Sequence, residues 1–158
     1  MRYNRYDKNS NSDINTKITN LINVVDKSKV GKNIVVWRGA ESDFIDTLLG
    51  NIVSDIPKSE INKILKQIVD KGVEFEEKGM MSTSIHPGGA HGKTMMKINI
   101  PKDAKGLYIE PITKKETSSW EHPEDELLLQ RGYKLKVKNV NYNKETFQYE
   151  VEADLVIK

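Results

Sequence analysis

Apart from a short apolar run at residues 34–38, the spacing of the apolar residues changes near Gly72. Before that point most apolar residues recur at intervals of three and four, which places them on one face of an α-helix. After it, apolar and polar residues alternate in short runs, as in β-strands that bury one face and expose the other. Helical segments followed by strands predict an α+β fold.

Three helices are predicted before Gly72. Ser12 is suited to cap the first, Ser42 begins the second, and Pro57 begins the third, which Gly72 ends. Each has an apolar stripe that we expect to be its packing surface. The stripes are Ile14, Ile18, Leu21, Ile22 and Val25 in the first helix, Phe44, Ile45, Leu48, Leu49 and Ile52 in the second, and Ile61, Ile64, Leu65, Ile68 and Val69 in the third.

Residues 1–11 are charged and rich in asparagine, and their apolar residues show no period. This composition favours a flexible arm. Residues 12–158 are of ordinary size for one domain with a core of its own, so we expect a single domain there.

The predicted strands are residues 34–38, 79–84, 96–100, 107–109, 126–140 and 147–157. The first lies between two helices, and the others follow the third helix. Pro101 stops the strand that precedes it, because proline cannot donate a hydrogen bond to a sheet. In the last strand apolar residues alternate with acidic residues and glutamine, which predicts one buried and one solvated face.

Charge and composition exclude several classes of function. A net charge of +2 argues against a dedicated nucleic-acid binder, which needs a strongly basic face. The absence of cysteine excludes disulfides, thiolate metal ligands and a cysteine nucleophile. The three histidines lack the spacing of a metal site, so no metal is expected. No apolar run approaches the roughly 18 residues of a membrane span, and residues 1–12 carry no hydrophobic signal core.

Acidic residues are concentrated just before the long strand that begins at Glu126. In an extended chain Glu124 and Glu126 project to the same side, while Leu127 projects to the other. Two carboxylates that share a small space repel each other unless donors or a cationic ligand face them. The pair is therefore either a solvated turn or part of a site.

Two earlier strands carry further polar residues where a site needs them. Arg38 ends the apolar strand Ile34–Arg38, and Ser82, Thr83 and Ser84 lie on the next strand. An arginine, a Ser-Thr-Ser group and a Glu-x-Glu pair, in this order, resemble the bacterial ADP-ribosyltransferase exoenzyme toxins. Within these toxins the closest resemblance is to the actin-modifying enzymatic components of clostridial binary toxins, such as iota toxin. Leu-Leu-Leu-x-Arg-Gly follows the last motif, and the resemblance runs from about Leu21 onward.

The resemblance implies a fold of two small, mainly antiparallel sheets packed across a cleft that holds NAD. It also implies the roles of the motif residues. Arg38 binds the NAD phosphates, next to Gly39, where the chain turns away tightly. Glu126 stabilises the positive charge that develops on the ribose as the nicotinamide bond breaks, and Ser82 holds this carboxylate. Thr83 and Ser84 support the strand and the nicotinamide pocket. Taken alone, Arg38 would be read as a solvent-exposed residue at a strand end.

The loop after the Ser-Thr-Ser group packs over the nucleotide in the family, where it usually carries an aromatic residue and an arginine. In this chain His91 and Lys93 lie at about those positions. Lysine can neutralise a phosphate but cannot form the bidentate contact of arginine, which implies a weaker hold on NAD. A glycine-rich surface loop with no ligand is the alternative interpretation.

Glu124 is the residue that the resemblance connects with the acceptor. Glutamate at this position accompanies arginine acceptors, whereas glutamine accompanies the Rho-modifying relatives that act on asparagine. A carboxylate can bind a guanidinium and help to deprotonate it as it attacks. Trp120 either contacts the target protein or is simply packed.

The predicted function is therefore mono-ADP-ribosylation of an arginine on a target protein, with actin as the leading acceptor and NAD hydrolysis as a side activity. The alternatives are a toxin that only hydrolyses NAD and a non-catalytic binding module of the same fold. The expected partners are the acceptor protein and a separate delivery component. Neither nucleic acid nor a membrane span is expected, and we expect a bacterial protein that is secreted or delivered into another cell.

Overall fold

Three α-helices and eight β-strands make up the part of the chain that the structure describes. The structure is a computed structural model that describes residues 2–41, 43–50, 52–109 and 126–157, with the backbone alone for residues 2–11. The helices are α1 (Arg2–Asp26), α2 (Asp43–Leu49) and α3 (Ile61–Asp70). The strands are β1 (Ile34–Ala40), β2 (Glu74–Glu77), β3 (Met81–Ser84), β4 (Thr94–Ile100), β5 (Gly106–Ile109), β6 (Glu126–Leu129), β7 (Tyr133–Asn143) and β8 (Gln148–Val156).

The strands are joined in the order β2-β7-β8-β4-β1-β3-β6-β5. All neighbouring pairs are antiparallel except β4 and β8, which are parallel. β1 pairs with β4 along its whole length, from Ile34 opposite Ile100 to Ala40 opposite Thr94. Its pairing with β3 is restricted to one position, Trp37 opposite Ser84. The sheet therefore consists of a five-strand part and a three-strand part that meet at this position.

The α+β class and the mainly antiparallel pairing are confirmed. The two sheets implied by the resemblance are joined in this chain into one hydrogen-bonded order of eight strands. The junction between β1 and β3 is short, since the two strands pair at one position only.

The core lies between the helices and the central strands. The stripe of α3 is confirmed at Ile61, Leu65 and Ile68, which are almost completely buried, and the helix packs on β7. Phe44 of α2 contacts Phe75 of β2 edge to face, with ring centroids 5.0 Å apart. Such aromatic pairs add roughly 0.5–1.5 kcal/mol to the burial of their rings.

Helix α1 begins ten residues earlier than the predicted cap at Ser12, since its first residue is Arg2. Residues 2–11 contain neither glycine nor proline, so an established helix extends through them at little cost although they have no apolar stripe. The predicted stripe of α1 is buried only near its end, at Val25, while Ile14 and Ile18 are exposed. None of the helices among the described residues is long and apolar enough to cross a membrane.

Other boundaries also differ from prediction. Pro57 begins a turn, in which the Glu60 amide donates to the Pro57 carbonyl at 2.9 Å, before α3 starts at Ile61. The long strand predicted from Glu126 is two strands, β6 and β7, because the chain turns at Gly132 with a φ of 82°. Strand β2 was not predicted, since its four residues include three glutamates.

The predicted end of α3 at Gly72 is confirmed in detail. Gly72 has a φ of 62°, its amide donates to the Val69 carbonyl at 3.0 Å, and the Val73 amide donates to the Ile68 carbonyl at 3.3 Å. These two bonds form a Schellman motif, which satisfies carbonyls left free at the end of a helix.

We expect Gly72→Ala to lower the free energy of unfolding by about 1 kcal/mol, because a Cβ disfavours the left-handed conformation. For a chain of this size the melting temperature should fall by about 2–4 °C. Gly88→Ala is the matched control, since a Cβ at either position meets nothing within 4 Å and only Gly72 has a positive φ. Thermal unfolding followed by circular dichroism measures both variants. Equal melting temperatures for the two would contradict the role of the backbone conformation.

Candidate active site

The three motifs lie on three neighbouring strands. Arg38 is on β1, Ser82–Ser84 end β3, and Glu126 begins β6, and these strands are adjacent in the sheet order. The sequence separates the first and last of these residues widely. The antiparallel pairing of the strands brings them to one region of the sheet.

Ser82 and Glu126 are directly hydrogen-bonded. In the β3–β6 register Ser84 lies opposite Glu126, and Ser82 lies two residues along the same face. The Ser82 hydroxyl donates to Oε1 of Glu126 at 2.6 Å, a short bond of the kind that a charged acceptor makes. The bond thereby favours one orientation of the Glu126 carboxylate, although Ser82 is exposed and Glu126 is only half-buried.

The other two hydroxyls of β3 are bonded to the backbone. Thr83 is buried and donates to the Leu127 carbonyl at 2.7 Å, across the β3–β6 pair. Ser84 donates to the His86 carbonyl at 2.8 Å and accepts from the His86 amide at 3.1 Å. Thr83 thus strengthens the contact between the two strands, and Ser84 shapes the turn that leaves β3.

The guanidinium of Arg38 is only partly satisfied. Its Nη1 atom is buried and makes no hydrogen bond. The same atom lies 3.6 Å from Oε2 of Glu77, at the end of β2. This distance is too long for a hydrogen bond, so the pair is an ionic contact that leaves the donor free. A buried donor without an acceptor costs about 1–3 kcal/mol, and an anionic ligand that filled this position would relieve that cost.

Sequence reasoning did not identify Glu77. It belongs to an unpredicted strand at one edge of the sheet, with three strands between it and β1. The segment from Glu77 to Met81 leads from that edge back to β3, and the Glu77 carboxylate lies beside Arg38. No motif or spacing in the sequence signals such a contact.

Two glycines hold the loop before β4 against β1. A Cβ on Gly39 would overlap the carbonyl of His91, and a Cβ on Gly92 would lie 2.6 Å from the carbonyl oxygen of Ala40. The expectation that the chain turns away at Gly39 is wrong, because β1 continues to Ala40. Gly39 instead permits a close approach between the strand and the loop, which only a residue without a side chain allows.

A cavity of about 290 Å³ opens between β1, β3 and this loop. Its volume is close to the lower limit of small-molecule sites, roughly 300–1,000 Å³. Trp37, which the sequence did not indicate, lines it as well. The residues of the cavity wall that the sequence predicted are Arg38, Gly39, Ser82, Thr83, Ser84 and His91.

The remaining predicted residues have different positions. Glu126 is connected to the cavity through its bond with Ser82. Lys93 is exposed and is not part of the cavity wall, and its carbonyl accepts from the Tyr149 amide at 2.9 Å. Trp120 and Glu124 lie outside the described residues. Within those residues there is no group of three or more histidine, aspartate or glutamate side chains that could hold a metal ion.

The site therefore offers a cation with a free donor and an oriented carboxylate within one small region. Arg38 suits a phosphate or another anion. Glu126, held by Ser82, suits a developing positive charge. A ligand that is anionic in one part and becomes cationic in another during reaction would use both groups.

Bacterial ADP-ribosyltransferase toxins are among the solved structures that superpose on this chain. C3larvin toxin from Paenibacillus larvae superposes with a TM-score of 0.69 and 24% identity, over 99% of this chain and 80% of that one. C3stau2 from S. aureus, solved with NAD, superposes with a TM-score of 0.65 and 21% identity, over 93% of this chain and 73% of that one. BECa from a binary enterotoxin of C. perfringens, solved with NADH, has a TM-score of 0.60 and 18% identity, over 92% of this chain and 36% of that one.

These likenesses show the fold and do not separate the acceptor classes. The two C3 toxins superpose better than the binary-toxin component, whereas the motifs predicted a closer resemblance to the actin-modifying enzymes. That finer part of the resemblance is not confirmed. No curated protein sequence matches this chain.

The family itself is identified from the whole sequence. The family model described as ADP-ribosyltransferase exoenzyme matches residues 1–158. The order of the three motifs and the joining of their strands in the structure agree with this match. The chain belongs to the ADP-ribosyltransferase exoenzyme family.

Proposed function

We propose that this protein transfers ADP-ribose from NAD to an arginine of a target protein. Family membership supports mono-ADP-ribosylation in general. The observation that carries the proposal is the hydrogen bond from Ser82 to Glu126 at 2.6 Å, on strands that lie beside the strand of Arg38.

Arg38 is the residue that fits the pyrophosphate of NAD. Its buried Nη1 has no hydrogen-bond acceptor, and it borders the same cavity as Ser82. A phosphate oxygen accepts strongly from a guanidinium and would satisfy this donor. Glu77 makes an ionic contact with the same nitrogen, at 3.6 Å. His91, whose backbone is pressed against Gly39, forms the adjacent part of the wall.

Glu126 supplies the electrostatic part of the chemistry. Cleavage between nicotinamide and ribose develops positive charge on the sugar, and glycosidases meet a similar transition state with carboxylates. A carboxylate that is already oriented stabilises this charge without reorganising during the reaction. Ser82 provides that orientation, and Thr83 fixes β3 to β6 through the Leu127 carbonyl.

The choice of arginine as acceptor rests on Glu124, two residues before the catalytic carboxylate. A carboxylate can bind a guanidinium and accept its proton as the nitrogen attacks the sugar. Trp120 lies just before this residue in the sequence and is the proposed contact with the target. We propose actin as the first acceptor to test. We also propose that the protein acts as a secreted toxin that a separate component delivers.

Incubation with labelled NAD tests the proposal. Purified actin, a purified Rho GTPase and agmatine, a small guanidine, serve as acceptors, and mass spectrometry identifies the modified residue. Label on arginine or agmatine supports the proposal. Label on asparagine contradicts the choice of arginine and identifies asparagine as the acceptor. Nicotinamide release without any labelled acceptor indicates a hydrolase, and the absence of both products indicates a binding module.

Arg38→Ala is expected to weaken NAD binding severely and Lys93→Ala only modestly. The first change removes a guanidinium that can contact phosphate through two nitrogens, and the second removes an exposed point charge outside the cavity wall. Isothermal titration calorimetry measures both affinities, with Arg38→Lys as the variant that keeps the charge. Parental affinity in Arg38→Ala would remove Arg38 from the phosphate site.

Ser82→Ala is expected to reduce turnover more than NAD affinity. The lost bond orients Glu126 for the transition state and contributes less to the ground state, so kcat should fall about ten- to a thousand-fold. Ser82→Thr keeps a hydroxyl and is the control that should restore most of the rate. Steady-state kinetics on variants with parental circular dichroism spectra measures the effect. An unchanged kcat in Ser82→Ala would show that this bond is not part of the mechanism.

Glu126→Gln and Glu124→Gln should have different consequences although the two changes are chemically alike. Glu126→Gln removes the charge beside the ribose, so both protein transfer and NAD hydrolysis should be abolished. Glu124→Gln should abolish transfer to arginine while water still captures the sugar, so hydrolysis should survive.

Nicotinamide release and label transfer are measured for both variants, with circular dichroism to confirm folding. Transfer to arginine at the parental rate in Glu124→Gln, or NAD cleavage at the parental rate in Glu126→Gln, contradicts this division of roles.

A further inference from the structure

The turn between β7 and β8 exposes a large aromatic side chain in an unfavourable backbone conformation. Phe147 is 70% exposed, and its φ of 58° makes it the only described residue other than glycine with a positive φ. Asn143 tightens the turn, because its side-chain oxygen accepts from the Glu145 amide at 2.9 Å and from the Thr146 amide at 3.3 Å. Glycine or asparagine would adopt this conformation more easily, and a polar residue would suit the exposure.

Phe147 belongs to a group of side chains that we call the hairpin cluster, with Lys58, Tyr142 and Tyr149. The ammonium of Lys58 lies 5.3 Å from the ring centroid of Tyr142 and 5.9 Å from that of Phe147. The rings of Tyr142 and Tyr149 are 4.9 Å apart. The cluster is therefore a cation held among aromatic rings, in which the exposed Lys58 ammonium and Phe147 ring can contact a second molecule while Tyr142 is buried beneath them.

The charge of Lys58 has no carboxylate partner among the described residues. None of the salt bridges between those residues includes Lys58. Its ammonium donates to the Tyr142 hydroxyl at the long distance of 3.4 Å. Burial raises the pKa of Tyr149, and Tyr142 and Asp46 raise it further, so the ring that supports the cluster is uncharged at neutral pH. The cluster thus presents positive charge and apolar surface together.

The hairpin cluster is continuous with the wall of the active-site cavity. The Gln148 side chain donates to the Gly92 carbonyl at 2.9 Å, and the Tyr149 amide donates to the Lys93 carbonyl at 2.9 Å. His91, next to Gly92, lines the cavity. Two hydrogen bonds therefore tie the strand that follows Phe147 to the loop that borders the reaction centre.

We propose that the hairpin cluster is a docking surface for the acceptor protein. The complementary surface of the acceptor has an apolar pocket for the Phe147 ring and a carboxylate beside it for Lys58. This inference rests on the proposed transfer to a protein. It adds to that function a surface that selects the protein, separate from the residues that act on NAD.

The size of the cluster favours a transient partner over a second copy of this chain. An aromatic side chain buries roughly 150–250 Å², whereas a stable interface buries about 800 Å² on each partner. An enzyme must release its product, so a small contact with one aromatic anchor suits a protein substrate.

The test compares protein and small-molecule acceptors in the variant Phe147→Asn. Asparagine tolerates the left-handed conformation, so the melting temperature should stay the same or rise. Transfer from biotinylated NAD to purified actin, and to the proteins of a host-cell lysate, should fall at least about tenfold, as when an interface anchor is lost. Transfer to agmatine and NAD hydrolysis should stay within about twofold of the parental rates, since neither uses the docking surface.

Two further variants control the result. Ile14→Ala removes another exposed apolar side chain, from α1 at the opposite edge of the sheet, and should leave all rates unchanged. Lys58→Ala should reduce protein transfer several-fold, and Lys58→Arg should restore it, because the charge is retained.

Protein labelling by Phe147→Asn at the parental rate overturns the docking surface, as does an equal loss of agmatine transfer or NAD hydrolysis, which would place the effect in the cavity. If the parent itself labels no protein, the proposed function fails, and the inference falls with it.

Discussion

The pairing of Trp37 with Ser84 is the contact on which the arrangement of the site depends. It is the one registered position between β1 and β3, and it joins a five-strand part of the sheet to a three-strand part. Arg38 follows Trp37 in β1. Ser82, which is bonded to Glu126, lies two residues before Ser84 in β3. Because the strands separate immediately beyond this contact, a cavity opens between them with the arginine on one side and the serines on the other.

A sheet with a fully paired centre would have no such cavity. Full pairing of β1 with β3 would have satisfied more backbone groups, but it would also have filled the space that a ligand needs. On their other sides β1 is fully paired with β4 and β3 with β6, so both strands remain held in the sheet. The loop at His91 then forms the remaining wall, and its close approach depends on the absence of a side chain at Gly39.

Local patterns in the sequence predicted the parts of this structure that short-range forces determine. The stripe and the end of α3 follow from helical spacing and one glycine, and both were correctly predicted. The order of the three motifs, through the family resemblance, predicted the bond between Ser82 and Glu126, whose strands are adjacent in the sheet.

The contacts that were missed are long-range and leave no local signal. Glu77 ends an edge strand that three other strands separate from β1 in the sheet order, yet its carboxylate contacts Arg38. The strand containing Glu77 is acidic, so its composition did not predict a strand at all. The conformation of Phe147 was also not predicted. The alternation of apolar and polar residues placed Phe147 on the buried face of the last strand, whereas it lies in the turn before β8.

The position of β8 has a consequence for how the chain acquires activity during its synthesis. Residues 149–154 of β8 pair in parallel with β4, deep within the strand order, rather than adding to an edge. Pairing between segments so distant along the chain forms late, because the intervening loop must be ordered first. While the ribosome is still producing those residues, β4 lacks one of its two neighbours. The eight-strand order that contains the candidate site is therefore complete only after β8 has been synthesised.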